Sequence, residues 1–495
     1  MAASRDGARP PRLSRRSLVV AGGVGLAALF AGPRGRASQA RASPFGPLVP
    51  DPAGILDLPA GYTYRILERS GDRMDDGYTV PWNPDGMAAF AGSGDTVILM
   101  RNHELLVGDG PYVPGAAPPE AFDPLAMGAV TRVVLDRLTL ERVTSNLVLC
   151  GTLVNCAGGA TPWGWLSCEE NVTAGHGYVF LCDPAAYKVQ APRRIGAYGR
   201  CRHEAACVDP ATSIAYLTED QPDSSFYRLV PDDPADPFTG RLQALRVNGR
   251  PRFDTSAMMP GQRLAIEWID LDDVDPVGDT LRLEAQTKGA AIVARGEGIT
   301  FADGEIYVVS TSGGPIGKGQ IFRIVDAPGA ATLELVVQAV DPEVMQAPDN
   351  LTMAPWGELL FAEDNVGTNY IRGVTRGGAV FDFARNVLST SELSGLCFSP
   401  DGKALFVNIY RQGLTLVITG PFPEAPIESP PAEEPATSGA DPPTSEGEGE
   451  GEGEGEASDE GCGCRGDAGV SGVGAAVAFA ATLASERRRG DDEPE

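Results

Sequence analysis

The stretch NCAGGATPWGWLSCEEN, residues 155–171, reads as a β-hairpin with ligand-type side chains at its open end. Ala157 to Ala160 and Trp165 to Cys168 are short apolar runs, the Pro162-Trp163-Gly164 step is turn chemistry, and Cys156, Glu169 and Glu170 flank the pair. In an antiparallel hairpin the first residue of one strand and the last of the next lie at the same end, so both polar groups arrive in one place.

That layout recurs in five further segments. They run from Asp85 to Asn102, His103 and Glu104; from Glu204 to Glu219 and Asp220; and from Glu297 to Thr311. Two more run from Asp349 and Asn350 to Glu363 and Asp364, and from Glu392 to Asn408. The closing positions Glu170, Glu219, Thr311, Glu363 and Asn408 fall about 45–50 residues apart, with one interval near double, and a propeller blade repeats at about that period. Six polar hairpin ends converge only when the hairpins are arranged radially. The expected fold is therefore all-β, a six-bladed β-propeller with inserted loops and short helices. Runs such as VTRVVLD (130–136), RVTSNLVL (142–149) and LTLVIT (414–419) supply further strands, and the wide interval predicts an insertion with a helix around Leu281 to Gly289.

The ends differ in composition from the centre. Residues 1–42 carry eight Arg against one Asp and read as a twin-arginine signal peptide: Ser14, Arg15, Arg16, Ser17 and Leu18, an apolar run to Gly32, and a small-residue cleavage site at Ala40-Arg41-Ala42. The run is too short for a transmembrane helix. Residues 43–422 form the expected propeller. Residues 423–461 are a Pro-, Gly- and Glu-rich segment with too little apolar content for a core, hence a disordered acidic linker. Residues 462–495 carry Cys462 and Cys464, a weak apolar stretch and Arg487, Arg488 and Arg489, an order that resembles the C-terminal surface-sorting tails of myxobacteria. The expectation is export to the periplasm or outer cell surface, through the twin-arginine machinery and with membrane attachment by the tail.

Residues 43–422 carry 28 Lys and Arg against 47 Asp and Glu, a charge of −19 that repels nucleic acid and anionic lipid. Abundant carboxylates with only three histidines favour oxygen-ligated hard cations, calcium first. Of seven cysteines in residues 43–422, Cys156 alone takes a hairpin-end position, where a thiolate serves a transition metal; the others are core residues or disulfide partners. The repeat makes Cys156, Glu169, Glu170, Glu204, Glu219, Glu297, Asp349 and Glu363 metal-ligand candidates, with the first acid of each strand-end pair facing the centre. Asn350, His103 and His203 stand beside them as contacts to ligands or substrate, and His176, in the turn AGHGY, is expected to be solvated. Trp163, Trp165 and Trp356 are expected to pack between blades. No G-x-S-x-G elbow, P-loop or H-E-x-x-H motif is present.

NCAGG, TPWG, WL and CEEN, with RHEAA, TED, PDN before AED, and SPDGKALFVN, together resemble the PhoX-type alkaline phosphatases from about Asp85 to Asn408. The resemblance implies hydrolysis of phosphate monoesters outside the cell by a calcium and iron (Ca2+, Fe3+) centre, with Cys156 as thiolate ligand and Glu169, Glu170 and Glu204 as carboxylates. It also places the family's Arg-x-Glu pair on Arg295 and Glu297, with Arg295 binding a phosphate oxygen. Three departures stand out: TPWGWLSCEE is one residue short, Gly296 replaces a proline, and NIYRQG stands where the family has NIQHPG, putting Arg411 at a histidine position. Two other readings of the same scaffold are a calcium-dependent lactonase and a non-catalytic, calcium-stabilised surface module.

Overall fold

In a computed structural model, residues 42–109, 117–375 and 377–424 are described. The segments expected as a signal peptide, an acidic linker and a sorting tail lie outside them, apart from residues 42, 423 and 424. The described residues are all-β with one short α-helix, Leu281–Thr287, and two 3-10 turns, in a propeller-like arrangement. No helix among the described residues is long and apolar enough to cross a membrane.

All six expected hairpins form. The first joins Pro84–Ala91 to Thr96–His103, the second Asn155–Thr161 to Gly164–Glu169, and the third His203–Val208 to Ala215–Glu219. The fourth joins Gly296–Ala302 to Glu305–Ser310, the fifth Pro348–Met353 to Leu359–Glu363, and the sixth Leu393–Phe398 to Ala404–Ile409. Their first strands are buried almost throughout, because each lies between two neighbours rather than against solvent. Each packs on the next in chain order, and the sixth packs back on the first.

Small residues permit that approach. A Cβ on Gly86 would lie 2.8 Å from the Cα of Ala157, one on Gly159 2.0 Å from the carbonyl oxygen of Ala206, and one on Gly298 2.4 Å from that of Asp349. Polar side chains then stitch neighbours together. Asn102 Nδ2 donates to the carbonyls of Cys156 and Ala157, Thr218 Oγ1 to that of Glu297 at 2.7 Å, and Asn408 Nδ2 to that of Asp85 at 2.7 Å.

Two pairings depend on contacts between distant parts of the chain. The sixth hairpin continues through Leu414–Thr419 to Thr63–Arg69, with Leu414 opposite Arg69 and Thr419 opposite Thr63, so the amino-terminal strand completes the last sheet. The insertion contributes Arg263–Asp270, which pairs with Asp236–Val247 on one edge and Thr332–Gln338 on the other, fusing two sheets into one of nine strands.

Candidate metal centre

Each of the six hairpins carries a one-residue bulge at the same place. In the first, Pro84 pairs with His103 and Met87 with Arg101, so three steps of one strand face two of its partner. The same offset falls between Asn155 and Gly158, His203 and Ala206, Gly296 and Ile299, Pro348 and Leu351, and Ser394 and Cys397. The bulge residues are thus Asp85, Cys156, Glu204, Glu297 and Asp349, with Gly395 in the sixth. A bulge re-aims a side chain that regular pleating would direct elsewhere, so five hairpins present an anionic-type group by one backbone device. Gly395 has a φ of 64°, and a Cβ there would come within 2.5 Å of the Asp85 carbonyl oxygen. Two residues before the bulge, Asn83, Val154, Arg295 and Ala347 all hold left-handed φ values of 43–56°, strain that persists only where surroundings over-determine it.

Cys156 Sγ and a carboxylate oxygen each of Glu170 and Glu204 lie within 4.8 Å of one another, all buried. Around them the carboxylates of Asp85, Glu204 and Asp349 are fully buried, and neither oxygen of any of them has a hydrogen-bond partner among the described residues. Burial first, and neighbouring carboxylates second, push Asp85, Glu170, Glu204, Asp349 and Glu392 well above the ordinary range. Glu297 is raised by burial and by Asp220, against the pull of Arg295. Glu104 is pushed up to about 8 by burial, although the Tyr410 hydroxyl donates to its Oε2 and pulls the other way. Burial, then Glu204 and Glu170, raises the Cys156 thiol. Burying several unpaired carboxylates together costs far more than a fold repays unless positive charge joins them. Hard oxygen donors around one sulfur fit multivalent cations, so these residues suit the metals that the sequence implies.

The predicted residues divide into two groups. Cys156, Glu170, Glu204, Glu297 and Asp349 come together. Glu169, Glu219 and Glu363 do not, and the expectation that the first acid of each strand-end pair faces the centre is corrected. Glu169 accepts from the backbone of Leu153, Gly177 and Tyr178 and contacts His176 at 2.7 Å. Glu219 accepts from the Tyr227 hydroxyl and pairs with Arg282, and Glu363 pairs with Arg372 at 2.8 Å while accepting from Gln346 N. Glu169, Glu219 and Glu363 are the last residues of their strands, and it is the acids one residue further on, Glu170, Asp220 and Asp364, that belong to the charge cluster.

Four cluster members, Asp85, Glu104, Asp364 and Glu392, were hairpin ends in the sequence but not singled out as ligands; their hairpin positions were the available signal. Tyr410, in the departure NIYRQG, joins them through Glu104. His103 contacts the Trp82 carbonyl and Thr131, and His203 Nε2 contacts the Gly199 carbonyl while burial pushes its pKa down to about 4. Asn350 Oδ1 accepts from Leu396 N in the next hairpin. His176 is buried, not solvated, so that expectation also fails: it lies against Glu169 and Phe122. Trp165 donates to Asn102 at 2.8 Å, and Trp163 and Trp356 pack against Phe238 and Phe398. All seven cysteines among the described residues are buried free thiols.

Arg295 bridges two acids of the cluster. Its Nε and Nη2 donate to Asp220 at 2.8 Å each, and Nη2 lies 2.7 Å from Glu297 Oε1.

The family model for alkaline phosphatase PhoX matches residues 43–120 and 135–413. The chain belongs to the alkaline phosphatase PhoX family. It is thus assigned to the phosphatases, acting on phosphate esters. Among solved structures, Pseudomonas fluorescens PhoX in complex with vanadate, a transition state analogue, aligns at a TM-score of 0.58 and 19% identity over 74% of this chain and 96% of that one, a likeness of fold alone. Gluconolactonases from Xanthomonas campestris (15% identity, TM-score 0.40, 77% of this chain and 100% of that one) and Pseudomonas aeruginosa (12%, 0.35, 66% and 97%) also align, too distantly to bear on activity. No curated protein matches the chain. In this member of the PhoX family the NCAGG cysteine and the Arg-x-Glu pair stand on the second and fourth of the repeated hairpins, with the Glu204 hairpin packed between them.

Proposed function

We propose that this chain is an exported phosphomonoesterase that holds calcium and iron at the mouth of a six-bladed propeller. The observation that carries the reading is the buried, mutually repelling set Asp85, Glu170, Glu204, Glu297 and Asp349 around Cys156. The unbroken succession of six first strands supports the blade count. Family membership supports the reaction.

Cys156, Glu170 and Glu204 would hold the iron, the thiolate being the soft donor of the set. Asp85, Glu104, Glu297, Asp349, Asp364 and Glu392 would hold calcium through oxygen alone. When bound, clustered cations neutralise a dianionic ester and lower the pKa of an attacking water. Arg295, tied to Asp220 and Glu297, is placed to donate to a phosphoryl oxygen in the fork geometry of guanidinium. The Tyr410 hydroxyl holds its proton on Glu104 Oε2 and fixes that carboxylate's orientation. The first strands, buried on both faces, exclude water from below.

Elemental analysis of protein purified from its export compartment, with release of p-nitrophenol from p-nitrophenyl phosphate before and after chelation, tests the reading. Calcium, iron and chelator-sensitive turnover are expected. Full turnover by metal-depleted protein would overturn it. The signal peptide at residues 1–42 and the anchor at 462–495 belong to the same proposal, and substitution of Arg15 and Arg16 by Lys is expected to retain the protein in the cytoplasm, read by fractionation.

A further inference from the structure

Arg202 and Arg295 occupy the same position of the repeat. Arg202-His203-Glu204 and Arg295-Gly296-Glu297 each place an arginine two residues before a bulge carboxylate, in hairpins that are neighbours in the ring. The carbonyl of each accepts from the residue that follows the second strand of its own hairpin: Asp220 N to Arg202 O at 3.2 Å, and Thr311 N to Arg295 O at 3.0 Å. Each side chain reaches back to the last acid of the hairpin before it. Arg202 Nη1 lies 3.8 Å from Glu170 Oε1, and Arg295 Nε lies 2.8 Å from Asp220 Oδ1.

Accessibility orders the layers. Glu170, Asp220 and Glu297 expose 4%, 6% and 0% of their side chains, whereas Arg202 and Arg295 expose 26% and 22%. An anion arriving from solvent therefore meets two guanidiniums above a floor of carboxylates. Asp279, on the insertion, lies 4.0 Å from Arg202 Nε and also holds Arg282, so the insertion fixes the outer side of this arginine.

We propose that Arg202 is a second phosphate-binding residue, and that the Arg202 and Arg295 pair selects dianionic phosphate monoesters over monoanionic diesters. The inference rests on the phosphatase reading above. A monoester presents three terminal oxygens sharing two negative charges, enough for the cation floor and for a guanidinium on each side. A diester presents two terminal oxygens and one charge, so once the floor and Arg295 are served nothing remains for Arg202.

The metal-loaded full chain is assayed on p-nitrophenyl phosphate and bis(p-nitrophenyl) phosphate, with binding of inorganic phosphate measured directly by calorimetry. Arg202→Gln is expected to raise KM for the monoester and Kd for phosphate by about 10- to 100-fold, the range of a lost charge-assisted hydrogen bond. Diester kcat/KM stays within about threefold, metal content is unchanged, and Arg202→Lys recovers part of the phosphate affinity. Equal losses on both esters, lost metal, or an unchanged phosphate Kd would overturn the inference. Should the wild-type chain hydrolyse neither ester, the phosphatase reading falls, while the phosphate Kd of Arg202→Gln still decides the role of the arginine.

Discussion

Cys156 is a thiol held among carboxylates, and burial together with Glu204 and Glu170 opposes its ionisation. Only a cation makes its thiolate favourable there. On the proposed assignment of iron, Cys156→Ala is therefore expected to lower the iron content read by elemental analysis and to lose about two orders of magnitude or more in kcat; an iron content equal to that of the wild type would remove the thiolate from the centre. The surrounding acids make a second prediction through linkage. Their folded pKa values are raised, so without metal the native state binds more protons than the unfolded chain, and stability falls as pH rises. The stabilisation is complete below the ordinary carboxylate value near 4.5 and is lost through the raised values, about 8 for Glu104. Chelated protein should accordingly melt at least about 5 °C lower at pH 8.5 than at pH 5.5. Metal-loaded protein should show the opposite trend, because protons compete with cations for the same oxygens.

At the scale of the hairpin, the strands, turns and polar ends were legible because alternating apolar runs and Pro-Trp-Gly or Pro-Asp-Gly turns leave a compositional mark. The bulge was not legible. It adds one residue to the first strand without changing composition, and that residue's side chain is re-aimed. Nor was the end of each second strand: Glu169, Glu219 and Glu363 close the strands and read as ligands, while Glu170, Asp220 and Asp364, one residue further on, join the cluster. The contrast between Glu363 and Asp364 is testable. Glu363→Gln breaks a buried pair with Arg372, which exposes 6% of its side chain, and should cost about 3–5 kcal/mol in urea unfolding with metal content intact. Asp364→Asn should lower metal content instead, since that carboxylate presses on Asp85, Asp349 and Glu392. If both variants lost stability alone, the division of each acid pair would be wrong. Gly298 offers a steric counterpart: Gly298→Val would drive its side chain into the Asp349 carbonyl, 2.4 Å from a Cβ, and should cost about 1–3 kcal/mol while displacing two bulge ligands.

Across the whole molecule, the cluster forms only if the ring closes, since its side chains come from hairpins that begin at Pro84 and end at Ile409. Closure was not legible in the sequence. Thr63–Arg69 resembles any short strand, and its pairing with Leu414–Thr419 joins residues some 350 positions apart, a contact that no local pattern encodes. A buried ion pair fastens the junction. Glu68, on that amino-terminal strand, receives Arg101 Nη2 at 2.8 Å from the first hairpin and Arg142 Nε at 2.8 Å from the same sheet. Arg101 also donates to Thr415 on Leu414–Thr419, the strand that continues the sixth hairpin, and Thr415 donates to Asn408, whose amide holds the Asp85 carbonyl. One chain of hydrogen bonds thus runs from the seam to the bulge residue Asp85. Glu68→Ala leaves Arg101, 1% exposed, without its counter-charge and should cost about 3–5 kcal/mol, a fall of about 6–15 °C in Tm. Because Asp85 loses its anchor along the same chain, calcium bound per molecule should fall at temperatures well below the new melting point. A lower Tm with full calcium occupancy would show that the seam holds the ring without setting the geometry of its mouth.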